Sequence, residues 1–238
     1  MPDATRAGPC LAVLAGDRAF VFDVGSGGAR NLGTMGFPMD RIDAVYLTHL
    51  HSDHIDGLGE LLLMSWINGI RKEPTPVRGP TGTAEVVAGF NMAYRLDSTY
   101  RLAHHGPDVA DPIGYGGAAE EIVIPLGPPG KTIVLDEGDL KITAIRVGHA
   151  PIEPAFGYRI DYKDRSVSIS GDTGYHEGFI AASRGVDLML HEALSKQMVK
   201  TIGAALGEAG VENGRIIFHD ILDYHTDPEE AAQAAQEA

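Results

Sequence analysis

Thr48-His49-Leu50-His51-Ser52-Asp53-His54 places three imidazoles and a carboxylate within six residues. His49 and His51 sit two apart at the end of a strand pattern, so both rings can point to one side. Asp53 and His54 follow as the chain turns into a helix. Imidazole nitrogen with carboxylate oxygen is a donor set suited to zinc. The bland alternative is a solvated histidine-rich loop, and its position directly after a strand pattern argues against it. One segment cannot fill two coordination spheres. His149, in VGHAP, follows a strand pattern ending at Val147, and Asp172, in SGDTG, follows one ending at Ser170. Taken alone they read as a surface histidine and a turn former. Beside the first segment they become candidate ligands.

The elements that must carry these residues are visible as short apolar runs. Residues 11–15 and 18–23 flank Gly16-Asp17, a two-residue hairpin signal. Residues 42–48 read as a strand, and 54–68 as a helix with Leu58, Leu61, Leu62 and Ile67 at helical spacing. A second helix spans 81–95, started by Thr81 or Thr83. Residues 104–130, rich in Gly and Pro, read as loop. Strand patterns then fall at 131–135, 140–147, 156–162 and 166–171, with turns at Glu137-Gly138 and Lys163-Asp164. Residues 186–190 read as one more buried strand. The last helix is capped by Thr226 or Asp227, with Pro228 in its first turn and Glu229 and Glu230 favouring its dipole. GDRAFVFDVG (16–25) and KDRSVSISGDTG (163–174) share a pattern: hairpin turn, Asp-Arg, apolar strand, Gly-rich loop. Strands mixed with helices without strict alternation imply a mixed α/β sandwich.

The chain has 238 residues, 44% of them hydrophobic, enough for a real core. Its net charge of −14 argues against a passive nucleic-acid binder, which needs a broad basic surface. The one cysteine, Cys10, excludes an internal disulfide and a multi-thiolate metal site. The start, MPDATRAGPC, has neither a basic n-region nor a long apolar run, and no stretch approaches the ~20 apolar residues that span a bilayer. A cytoplasmic protein without a membrane partner is the expectation.

The set His-x-His-x-Asp-His at 49–54, His149 and Gly171-Asp172 resembles the metallo-β-lactamase-fold hydrolases, from about residue 6 onward. The resemblance implies an αββα four-layer sandwich, two mixed β-sheets flanked by helices, forming one domain over 1–238. An insertion or lid-like segment falls around 68–130. It also implies two zinc ions, one held by His49, His51 and His149, the other by Asp53, His54 and a bridging Asp172. Asp23, in FDVG, matches an aspartate lying behind the ligands. His191-Glu192-Ala193 and His225-Thr226 look like ribonuclease Z, in which a Glu–His pair assists at the departing oxygen. His191 is assigned beside them, with a buried core role as its alternative. That enzyme has Thr where Leu194 stands, and Ser-Thr where Thr226-Asp227 stand. It inserts a tRNA-gripping arm between the positions of His149 and Asp172, where only 22 residues lie here. Its first strand and Gly-rich turn, and its last ligand-bearing strand, have no counterpart, so a chain clipped at both ends and a weaker second metal site are expected.

By this reading the chain is a zinc-dependent hydrolase that attacks with a metal-bound hydroxide, a phosphodiesterase related to ribonuclease Z that does not act on tRNA. Asp53 orients the hydroxide and accepts its proton, and His225, held by Glu192, serves the leaving oxygen. The substrate is a small ester or phosphodiester, and an exposed sheet edge offers a homodimer contact. His104, His105 and Tyr115 are candidate substrate contacts, with plain exposed-loop roles as the alternative. The runner-up function is β-lactam or lactone hydrolysis, and the third is a catalytically impaired metal-binding remnant.

Overall fold

The computed structural model describes residues 5–238. Residues 1–4, part of the N-terminal start that was read as carrying no leader, lie outside them. The chain divides into two compact units, Met1–Val123 and Ile124–Ala238.

The first unit is built on a five-stranded sheet in sequence order. β1 (Leu11–Ala15) and β2 (Arg18–Phe22) form the expected antiparallel hairpin, with Gly16 at φ 64 in its turn. α1 (Gly28–Thr34) and a 3-10 turn (Met39–Arg41) then lead to β3 (Ile42–Tyr46), which pairs with β2 in parallel. α2 (Ser52–Ile55) and α3 (Leu58–Gly69) cross over to β4 (Thr75–Gly79). α4 (Thr83–Ala93) and α5 (Arg95–His105) cross over to β5 (Gly117–Glu121). Parallel neighbours need such helical crossovers. One sheet face supplies Val21, Val45 and Val77, which pack with Leu58, Leu61 and Leu62 of α3 and Val87 of α4. Each such side chain contributes about 1.5–3 kcal/mol on burial.

The second unit is an antiparallel meander with one parallel addition. β6 (Lys131–Glu137), β7 (Leu140–Val147), β8 (Ala155–Tyr162) and β9 (Arg165–Ile169) pair in succession. α6 (Glu177–Ala182) crosses over to β10 (Leu188–Leu190), which pairs with β9 in parallel. Ile145, Val147 and Ala155 pack against Phe179 and Ala182 of α6. α7 (Lys196–Glu208) and α8 (Glu212–Asp220) form an antiparallel pair that packs mainly on itself, and α9 (Pro228–Glu237) ends the chain. Two five-stranded mixed sheets flanked by helices are the fold class that the sequence resemblance implies.

Several boundaries differ from the sequence reading, each for a local reason. The helix expected at 54–68 is two helices, because Gly57 donates its N–H to Val24 O at 2.8 Å instead of continuing the first helix. The loop expected at 104–130 contains β5, whose GAAEE sequence has no apolar alternation to reveal it. The 68–130 segment, expected as an insertion or lid, supplies β4 and β5 to the first sheet, and its residues Thr75 and Val77 are fully buried. The buried strand expected at 186–190 is the sheet's edge, and its Leu188 is exposed.

Asp227, not Thr226, caps α9: its side chain accepts Glu229 N–H at 3.1 Å while Glu230 reaches back to the Asp227 N–H at 2.9 Å. Asp227→Ala removes this capping box and should cost about 1 kcal/mol. Thermal unfolding should show a fall in Tm of about 2–4 °C; an unchanged Tm would contradict the cap's role.

Candidate metal centre

In the first unit the site grows from the ends of β2 and β3. Past Phe22 comes Asp23, a non-glycine residue at φ 55, whose N–H donates to Tyr46 O at 2.9 Å. Val24 N–H donates to His54 O at 2.8 Å. Gly25 passes so close to the histidine loop that a Cβ there would stand 2.2 Å from Asp53 O, so only glycine fits. The FDVG loop therefore lies directly behind the His-x-His segment.

Asp23 is buried, and three donors converge on its carboxylate. Oδ1 accepts Thr48 N–H at 2.7 Å. Oδ2 accepts the Thr48 hydroxyl at 2.7 Å and His54 Nδ1 at 2.8 Å. Burial pushes the Asp23 carboxyl above the usual carboxylate range, and the bonds from His54 and Thr48 pull against it. The Thr48 hydroxyl, having donated, accepts from His49 Nδ1 at 3.0 Å. A proton on Nδ1 leaves the lone pair of His49 and of His54 on Nε2. His49 Nε2 stands 2.9 Å from His51 Nδ1, and the rings of His49 and His54 have centroids 4.1 Å apart. Asp53 is exposed, with Oδ2 3.8 Å from His54 Nε2.

The second unit repeats this design with Glu192. Its Oε1 accepts from Thr173 N–H at 3.1 Å, Thr226 N–H at 3.1 Å and His225 Nδ1 at 3.0 Å. The loop after β9, the segment after β10 and the segment before α9 thus meet on one carboxylate oxygen. Asp172 Oδ2 stands 3.9 Å from His225 Nδ1. His149 is buried, and its Nδ1 donates to Tyr224 O at 3.2 Å, which again leaves the lone pair on Nε2. The His149 and His225 rings meet edge to face at 5.5 Å.

Within each unit the structure gathers the expected residues: Asp23, His49, His51, Asp53 and His54 in the first, His149, Asp172, Glu192 and His225 in the second. His191 has its Nδ1 at 2.8 Å from the Glu192 backbone carbonyl and its ring edge-on to Phe179. His176 caps α6, accepting Phe179 N–H on Nδ1, and burial lowers its pKa. His104 and His105 are exposed at the end of α5. The Tyr115 hydroxyl donates to Asn91 O and its ring packs on Trp66, a structural role. Burial, with Asp23 behind it, pushes the Cys10 thiol up to about 12, so it supplies no thiolate. Sequence reasoning missed Thr48, Thr173 and Thr226, whose polar atoms orient the chemistry-bearing side chains. Their signal is position alone: each sits beside a candidate site residue.

This donor set fits a metal. Nitrogens bound tetrahedrally to one zinc at ~2.0–2.1 Å stand ~3.3 Å apart. The 2.9 Å between His49 Nε2 and His51 Nδ1 needs a shift of only a few tenths of an ångström. Asp23→Ala leaves the buried His54 Nδ1–H and Thr48 N–H without their acceptor and should cost about 2–4 kcal/mol. Denaturant unfolding tests this, and unchanged stability would show that the Asp23 hub does not support the loop.

The β-lactamase superfamily domain matches residues 21–238. Ribonuclease Z of Mycobacterium avium is 34% identical over 240 residues, covering 100% of this chain and 78% of that protein. Ribonuclease Z of Mycolicibacterium gilvum is 33% identical over 246 residues, covering 100% and 77%. Among solved structures, human tRNase Z, short form, aligns with a TM-score of 0.68 at 22% identity, over 99% of this chain and 84% of that one. A diphosphatase from the PhnP family aligns with a TM-score of 0.63 at 15% identity, over 98% and 70%. The two structural likenesses bear on the fold; the sequence matches bear on descent. The chain belongs to the β-lactamase superfamily, in its ribonuclease Z-like branch, and is a metal-dependent hydrolase.

Proposed function

We propose that the chain hydrolyses a phosphodiester; His49, His51 and His149 would hold one zinc ion, and Asp53, His54 and Asp172 would hold a second. The Glu192–His225 pair carries the reading, because a phosphodiester with a poor leaving oxygen needs a proton delivered there. Metal ions held by these ligands supply Lewis acidity toward the substrate and a lowered pKa for water. Asp53, exposed and beside His54, orients the attacking water and accepts its proton. His225 gives a proton to the departing oxygen. Glu192 orients that ring and compensates the charge it carries when doubly protonated. Asp23 and Thr48 keep His49 and His54 turned with Nε2 forward.

Two observations bear on the substrate. The relatives at 33–35% identity are named ribonuclease Z, which favours phosphorus over carbon as the attacked centre and brings RNA into range. The net charge of −14 weighs against a long RNA. So does the turn joining β8 and β9, only Lys163-Asp164, where an RNA-gripping arm is expected in ribonuclease Z. A small phosphodiester is therefore the substrate class proposed.

Purified chain should be assayed in parallel on an aryl phosphodiester, a short RNA with a 3′ extension, a lactone and a β-lactam. The aryl phosphodiester should be turned over fastest, a chelator should abolish the activity, and Asp53→Ala should lower kcat by about 10²–10⁴-fold. Preference for the β-lactam or the lactone would overturn the phosphodiester assignment. Preference for the RNA would overturn the small-substrate assignment. Near-normal kcat in Asp53→Ala would overturn its role.

A further inference from the structure

Between Glu192 and His225 the chain makes an excursion of 32 residues through α7 and α8, which pack mainly on each other. The partner ring of the proposed proton-delivering pair thus arrives at the end of a long detour. Something must fix where that detour ends. Glu192 Oε1 holds the ring at Nδ1 and the His149 ring meets it edge to face, but neither contact sets the backbone from which the ring projects.

The residue that fixes it is Thr226. It is fully buried and bonded in three directions. Its N–H donates to Glu192 Oε1 at 3.1 Å, its carbonyl accepts Leu194 N–H at 2.8 Å, and its hydroxyl donates to Thr173 O at 2.6 Å. Thr173 N–H donates in turn to the same Glu192 oxygen. The three residues form a closed ring of hydrogen bonds: Glu192 to Thr226, Thr226 to Thr173, Thr173 to Glu192. Thr173 belongs to the loop that carries Asp172. The Thr226 hydroxyl is therefore the link by which the His225 segment is registered against the Asp172 loop. Asp227 takes over the capping of α9, which leaves the Thr226 hydroxyl for this inward bond.

We propose that Thr226 is a positioning residue for His225, its hydroxyl holding the imidazole where it can serve the leaving oxygen. The proposal rests on the reading of His225 as proton donor. A positioning role has a signature that a stability role lacks: its loss matters in proportion to how much the leaving group needs a proton. An alkyl leaving group needs one; a nitrophenolate departs as a stable anion without it.

The experiment compares wild type, His225→Ala, Thr226→Val and Thr226→Ser on two phosphodiesters that differ only in an alkyl or a nitrophenyl leaving group. Its readout is the ratio of kcat for the alkyl to kcat for the nitrophenyl substrate. That ratio does not depend on the fraction of enzyme folded, so a loss of stability in Thr226→Val does not disturb it. His225→Ala should lower the ratio about 10²–10⁴-fold. Thr226→Val, which keeps the volume but removes the donor, should lower it about 10-fold, while Thr226→Ser keeps it within about twofold. If His225→Ala leaves the ratio unchanged, the proton-donor reading fails. If His225→Ala lowers it and Thr226→Val does not, that reading stands and the positioning role is overturned. An equally low ratio in Thr226→Ser would also overturn it, since the hydroxyl would then not be the operative group.

Discussion

A histidine can offer a lone pair in a chosen direction only when its other nitrogen is held to an acceptor. The Asp23 carboxylate imposes that constraint on the first unit. It fixes His54 directly and His49 through the Thr48 hydroxyl, and it also accepts the Thr48 N–H, tying down the loop that follows β3. Burying a carboxylate is costly unless its lone pairs are filled. Here three donors fill them, and each donor belongs to the loop that the site needs in place. Local stability and the orientation of the site residues thus depend on one group.

Glu192 acts by the same physics in the second unit, with a different set of clients. It accepts two backbone N–H groups, from Thr173 and Thr226, and one imidazole N–H, from His225. The two units also share a strand arrangement. A hairpin with a positive-φ residue at its turn, Gly16 in one case and Lys163 in the other, leads into a strand that then pairs in parallel with the next. The echo between GDRAFVFDVG and KDRSVSISGDTG therefore has a structural counterpart. Lys163 at φ 53 takes a conformation that costs a non-glycine residue about 1–2 kcal/mol, which the flanking β8–β9 pairing offsets.

How much of this was legible in the sequence follows from the range of the interactions. The His-x-His-x-Asp-His segment was legible because its donors are adjacent in the chain and follow an apolar run that ends in a loop. The β1–β2 hairpin and the boundaries of β7 were legible from alternation and turn residues. β5 was not, because GAAEE has little apolar pattern and is a strand only by pairing with β4. β10 was misread as buried because four of the five residues of VDLML are apolar, although its position at the edge of the sheet decides its exposure. Thr173 and Thr226 were invisible as site residues: a threonine beside a turn is common, and their hydrogen bond joins positions 53 residues apart.

The tautomers of the site histidines test the central claim most directly. Long-range ¹H–¹⁵N correlation spectra of the imidazole side chains resolve which ring nitrogen carries the proton. If Asp23 organises the first unit as described, His49 and His54 are both fixed as the Nδ1–H form, with Nε2 as the unprotonated nitrogen. Rings that carry the proton on Nε2, or that average between the two forms, would contradict it.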